Sequence, residues 1–259
     1  SGGPAHKIAT DDNNMVILKI GATADDELDG QPSADADGDG SDEDGFDPNA
    51  QMFIRTQAQD LTIPVMNMTG GPAKLTMFVD WNNDGVFEAM YTDQVEDGET
   101  TALLTSVTPP ADAIINKDIA VRFRMSTDMA AVMTPNGPAP DGEVEDYEIV
   151  VMAFDYGDLA DAGPGVGAQD YETSANSGGP VHKLATDDNN MVTLKIGATA
   201  DDELDGQPSA DADGDGADED GFDPNAQMFI RTQAQDLTIP VMNMTGGPAK
   251  LTMFVDWNN

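Results

Sequence analysis

Between residues 48 and 153 the apolar positions fall in short runs bounded by turn residues, and no long stretch carries a helical period. The runs predict strands over 52–56, 61–69, 73–81, 87–91, 101–107, 119–126 and 144–152. In 119–126 the alternation is strict: Ile119, Val121, Phe123 and Met125 share one face, Arg122 and Arg124 the other. The segment 75–79 is apolar on both faces, as a central strand requires. Pro64 demotes its run to an edge or a bulge, because proline has no N–H to donate. Turn signals separate the runs at Gly70-Gly71-Pro72, Asp84-Gly85, Asp97-Gly98, Pro109-Pro110 and Asp141-Gly142. Seven short strands in about 105 residues predict an all-β, immunoglobulin-like antiparallel β-sandwich.

The pattern then repeats. Residues 1–83 recur as 177–259, and only Ala5/Val181, Ile8/Leu184, Ile17/Thr193 and Ser41/Ala217 differ. The exchange of Ile17 for Thr193 places that side chain on an outward face. The division that follows is an Asp-rich annex over 1–47 and a sandwich over 48–153. A second annex over 154–223, with short strands near 182–186 and 191–196, precedes the start of a second sandwich over 224–259. The chain reads as a piece of a longer tandem array, with neighbouring repeats as its partners and the monomer as its state.

Charge changes the picture. Forty-nine Asp and Glu stand against 11 Lys and Arg, a formal net charge of −38. Such a polyanion is repelled by phosphate backbones and anionic lipid surfaces, which argues against nucleic acid and membrane partners. Eleven acids crowd into residues 25–47 without one Lys, Arg or His, and the same count recurs over 201–223. Like charges ~5 Å apart repel by roughly 3 kcal/mol at an effective dielectric of 20, so a compact acidic loop calls for a cation. There is no cysteine, hence neither disulfide nor thiolate site.

Three stretches have ligand spacing for calcium. Asp35, Asp37 and Asp39 alternate before Gly40, with Asp42, Glu43 and Asp44 close behind. This is either a calcium loop of a design other than the EF-hand, whose twelfth position would be Phe46, or a solvated acidic run. Asp80, Asn82 and Asp84 precede Gly85, with Glu88 at the ninth position, directly after a predicted strand. Here the alternatives are a calcium loop and a plain hairpin turn. Glu143 and Glu145 alternate into the face of Tyr147, Ile149 and Val151, where an ionised carboxylate needs a partner. The partner is either a cation, with Asp155 and Asp158 contributing from the linker, or Arg122 or Arg124. The repeat extends the candidate set to Asp211, Asp213, Asp215, Asp218, Glu219 and Asp220. His6 and His182 are one position seen twice and read as packed or surface side chains. Trp81 and Trp257 read as core, and the 15 Met as core filler.

Gly142-Glu143-Val144-Glu145-Asp146-Tyr147 resembles the signature of the GEVED family of bacterial surface repeats. Asp155-Tyr156-Gly157-Asp158, Asp25-Asp26-Glu27-Leu28-Asp29, Asp42-Glu43-Asp44-Gly45 and Asp80-Trp81-Asn82 resemble its other motifs. The resemblance implies tandem sandwich modules of large secreted adhesins of Gram-negative bacteria, at the cell surface, rigidified by calcium and holding a binding head away from the cell. It adds Asp25, Glu27, Asp29 and Asp146 as candidate ligands, and by the repeat Asp201, Glu203 and Asp205. The expected function is thus a calcium-stabilised extender. The alternative is a carbohydrate- or ice-binding adhesin module, against which stand the sparse aromatics and the lack of regular Thr arrays. No nucleophile elbow, P-loop or His pair points to an enzyme, and none is expected.

Overall fold

A computed structural model describes residues 3–24, 36, 45–163, 169–214, 216, 219, 221–223, 226 and 229–257. The chain is all-β among the described residues, with short 3-10 turns at Pro48–Ala50 and Ala131–Met133. It divides into two compact units, Ser1–Val151 and Met152–Asn259.

The first unit holds β1 (Ala5–His6), β2 (Ala9–Thr10), β3 (Val16–Ile20), β4 (Phe53–Ile54), β5 (Gln59–Asn67), β6 (Ala73–Val79), β7 (Ala89–Val95), β8 (Thr101–Val107), β9 (Asp118–Ser126), β10 (Pro138–Ala139) and β11 (Glu143–Met152). One sheet has the order β4-β11-β9-β6-β7 and another β2-β3-β5-β8, an arrangement consistent with a β-sandwich. The core is built by alternation: Leu61, Ile63 and Val65 of β5, Ile119, Val121, Phe123 and Met125 of β9, and Tyr147, Ile149 and Val151 of β11 are all buried. β6 is buried at every position but Lys74, as its two-faced apolar run requires of the strand between β9 and β7. Trp81 is buried against Phe53, with ring centroids 6.4 Å apart.

Four expectations need correction. The stretch 1–47 is not an annex separate from the sandwich: β3 pairs with β5 through Leu18↔Asn67 and Ile20↔Val65, and Leu18 and Ile20 are fully buried. The equivalent residues 191–196 read as a strand in the second copy; what the acid-rich surroundings hid is that this strand joins the sandwich through β5. Ile17 lies on the face opposite Leu18 and Ile20 and is half-buried, but its counterpart Thr193 is 7% exposed with its hydroxyl donating to Ala185 O, so the exchange does not mark an outward side chain in both copies. Pro64 sits in an interior strand, between β3 and β8, and the register shift of β5 lies at Gln59/Leu61 instead. Its missing N–H costs nothing in the ladder because β3 ends at Ile20, and Pro64 O accepts from the Gly21 amide beyond that end. The run at 87–91 is really β7, two residues later in its start and four in its end. Its exposed positions Met90, Thr92 and Gln94 alternate with half-buried ones, and the strand is a sheet edge.

The second unit holds β12 (Phe154–Tyr156), β13 (Val181–Lys183), β14 (Leu194–Ile196) and β15 (Val241–Asn243), in two antiparallel pairs, β12-β13 and β14-β15. The repeated sequence is repeated structure only in part: β14 and β15 keep the register of β3 and β5, Leu194↔Asn243 and Ile196↔Val241 matching Leu18↔Asn67 and Ile20↔Val65, but the flanking pairings differ. Residues 5–6 pair in parallel with β10, whereas the equivalent residues 181–183 pair antiparallel with β12. Val65 is 4% exposed and its equivalent Val241 59%, because among the described residues unit 2 offers no counterpart of β8, β9 or β11. Trp257 is 72% exposed for the same reason, which corrects its reading as core. Several Met are also at the surface, Met15 and Met68 among them.

Candidate metal centres

The loop after β6 is shaped by its own acids. Asp80 is buried, and its two oxygens accept from the Asp84 amide (3.0 Å) and the Gly85 amide (2.8 Å). Asn82 Oδ1 also accepts from Asp84 N, and Asp84 Oδ1 accepts from Val86 N at 2.9 Å. Asn83 (φ 54°) and Gly85 (φ 90°) take left-handed backbone, which turns the loop sharply enough for these contacts. Glu88 returns to the loop, accepting from Trp81 N at 2.9 Å. Carboxylate oxygens of Asp80, Asp84 and Glu88 lie within 4.8 Å of one another. Desolvation, and then the charges of Asp80 and Asp84, raise the Glu88 pKa. Of the four residues named from the sequence, the structure brings the carboxylates of Asp80, Asp84 and Glu88 together, while Asn82 accepts from the Asp84 amide in the same turn.

β11 presents two carboxylates to the interior. Glu143 is 9% and Glu145 2% exposed, on the face of Tyr147. Glu143 Oε2 accepts from the Ile20 amide of β3 at 2.5 Å. Glu145 Oε2 accepts from the Tyr147 hydroxyl (3.1 Å), which itself accepts from the Gly45 and Phe46 amides at 2.7 and 3.1 Å. Burial, and then the Glu145 charge, keep the Tyr147 phenol neutral. Phe46 packs on both Tyr147 and Phe123, with centroids 5.4 Å apart in each case. The far end of the acidic stretch is thereby fastened to the last strand. Tyr147 was not among the candidates, although it closes the same six-residue motif.

The expected arginine partners are engaged elsewhere. Arg122 makes a two-pronged pair with Asp146 on the opposite face of β11, at 2.6 and 2.5 Å, so Asp146 is not brought together with Glu143 and Glu145. Arg124 is fully buried under the segment that carries the 3-10 turn and β10. Its guanidinium donates to the carbonyls of Ala131, Thr134, Asn136 and Gly137.

In the second unit Asp201, Glu203 and Glu219 form a second cluster, again with carboxylate oxygens within 4.8 Å. Glu203 is 9% exposed. Its backbone amide donates to Phe154 O (2.8 Å) and its Oε2 accepts from Tyr156 N (3.0 Å), so residue 203 grips β12 from both sides of Asp155. Glu203 Oε1 has no hydrogen-bond partner among the described residues. Burial first, then Asp201, Glu219 and Asp155, push its pKa up. Asp155 is also raised, by burial and by Asp201, while His182 opposes the shift. Other candidates serve as loop anchors. Asp158 accepts from Gly214 N at 3.3 Å, Asp205 from the Ala175 and Gly206 amides, and Asp213 contacts the Ser209 hydroxyl. Asp211 is exposed and joins no cluster. Asp25, Glu27, Asp29, Asp35, Asp37, Asp39, Asp42, Glu43, Asp44, Asp215, Asp218 and Asp220 lie outside the described residues.

A sandwich of this strand order, closed by a strand that opens Gly-Glu-Val-Glu-Asp-Tyr, can be compared with known families. Residues 74–150 match the GEVED domain. The matched span runs from β6 to β11, so the Asp80 loop and the inward pair Glu143 and Glu145 both lie within it. Neither a curated protein nor a solved structure matches the chain.

Proposed function

We propose that this chain is a calcium-stabilised extender: tandem, immunoglobulin-like GEVED modules that hold a binding domain of a large secreted bacterial adhesin away from the cell surface. The observation that carries the reading is the repeat, 83 positions with four differences, which suits a part whose number matters more than its individual surface. The strand orders β11-β9-β6-β7 and β3-β5-β8 support the immunoglobulin-like assignment. Calcium is supported by the chemistry of the donors: hard carboxylate oxygens without imidazole or thiolate, two of them on the core-facing side of β11 and one, Glu203 Oε1, without a partner. The Asp80 loop and the 201–219 cluster would hold the ions. Bound calcium would offset carboxylate repulsion and lock the loops, adding stability by mass action. Near-identical neighbours along one chain are the partners in this reading.

The test is scattering and melting of polypeptides carrying one, two and four periods. The maximum dimension should grow in proportion to period number in calcium, and EGTA should lower the melting temperature by more than about ten degrees and raise the hydrodynamic radius. A melt indifferent to EGTA removes calcium from the proposal. A dimension that does not scale with period number removes the extender.

A further inference from the structure

We propose that Asp201, Glu203 and Glu219 bind a single calcium ion that, through the grip of Glu203 on β12, fastens β12 to the acidic stretch of the second repeat; this rests on the calcium reading above and names where one ion sits and what it holds.

The two acidic clusters differ in how far the protein satisfies them. Both oxygens of Asp80 already accept backbone amides, so that loop is explained as a turn whether or not an ion is present. Glu203 is different. It is nine-tenths buried, one oxygen is held by Tyr156 N, the other has no donor among the described residues, and the carboxylate has an oxygen within 4.8 Å of oxygens of Asp201 and Glu219. A buried carboxylate oxygen without a donor is costly, and two further carboxylates beside it raise the cost. A cation shared by the three removes both penalties. Two oxygens on one calcium ion at 2.3–2.6 Å stand at most about 5 Å apart, and the oxygens here lie within 4.8 Å. The donors are all hard, which suits calcium over zinc or copper. Three carboxylates supply up to about six oxygens, matching calcium's 6–8 more readily than magnesium's rigid octahedron.

The backbone says what the ion would hold. Glu203 is bonded through its amide and its carboxylate to residues 154 and 156, and Asp155 between them is electrostatically coupled to both Asp201 and Glu203. Without an ion these acids repel one another across the contact that seats β12. With an ion, β12 gains a bond to residues 201–219 besides its ladder to β13.

The experiment is calcium chloride titration of the full chain by calorimetry, with magnesium chloride as control, joined to amide hydrogen exchange. Glu203→Gln and Glu219→Gln should each bind one ion fewer than the parent chain. In the parent, calcium should slow exchange at residues 154–156 and 181–183 at least tenfold, and in Glu203→Gln it should not. Amides of β9 report whether a variant remains folded. Calcium binding by the parent with unchanged stoichiometry in both variants overturns this site and leaves the broader calcium reading standing. No calcium binding by the parent overturns both.

Discussion

Arg124 Nε donates to His6 Nε2 over 3.0 Å, tying β1 to a fully buried guanidinium on β9. The other Arg124 nitrogens take up the carbonyls of Ala131, Thr134, Asn136 and Gly137. Arg124→Lys keeps the charge but offers a point donor in place of a planar fork, so buried carbonyls lose their donors. The expected loss is about 2–3 kcal/mol, and more for Arg124→Met. Urea unfolding followed by the fluorescence of buried Trp81, in a Trp257→Phe background, measures it. A loss well below about 1 kcal/mol would mean the guanidinium does not clamp that segment.

His6 makes the same contact pH-sensitive. Burial, and then the Arg124 charge, lower its pKa from 6.5 to about 4. The folded state therefore binds fewer protons than the unfolded one, so stability is full above the unfolded value and falls as pH drops from 6.5 towards 4. The loss across that window is about 3 kcal/mol. In chelator, His6→Gln should flatten the dependence of the Trp81 transition between those pH values. An unchanged slope would exclude His6 as its source.

The Asp80 loop separates capping from ion binding. In chelator, Asp80→Ala should cost about 2 kcal/mol, because it leaves the Gly85 amide without its acceptor and the Asp84 amide with Asn82 Oδ1 alone. Asp84→Ala loses one exposed contact to Val86 and should cost little. With calcium present, the two variants should converge, since either removes a ligand. Thermal melts with and without calcium check this, and a persistent gap would assign the loop to capping alone.

Tyr147→Phe removes the acceptor of two amides, Gly45 and Phe46, and a donor to Glu145. The expected destabilisation is about 2–3 kcal/mol, with faster exchange at residues 45–46. Isoelectric packing against Phe46 and Phe123 is kept, so a larger collapse would point to repacking instead.

Alternation made much of this legible in advance. Ile119 to Met125 read correctly as an inward row, and the same rule put Glu143 and Glu145 on the face of Tyr147. The Asp80 turn was visible because ligand spacing followed a strand. Arg124 was legible only in part: period two assigns its face, but nothing local says that residues 127–142 fold over that face and bury it. β3 was legible as a strand through its copy at 191–196, but its pairing with β5 was not, beside a patch whose acids dominate the composition. The two fates of one sequence, at Ala5–His6 and Val181–Lys183, could not be read locally, since the partner strand and not the propensity decides them.

The carbonyl cage around Arg124 has a consequence in brine. Its partners are neutral dipoles and a neutral imidazole at short range, which dissolved ions cannot screen. The self-repulsion of a chain carrying −38 acts over longer distances through water and is screened. Raising ionic strength therefore weakens what pushes the first unit apart while leaving this anchor intact, and marine salinity would favour its folded state over fresh water.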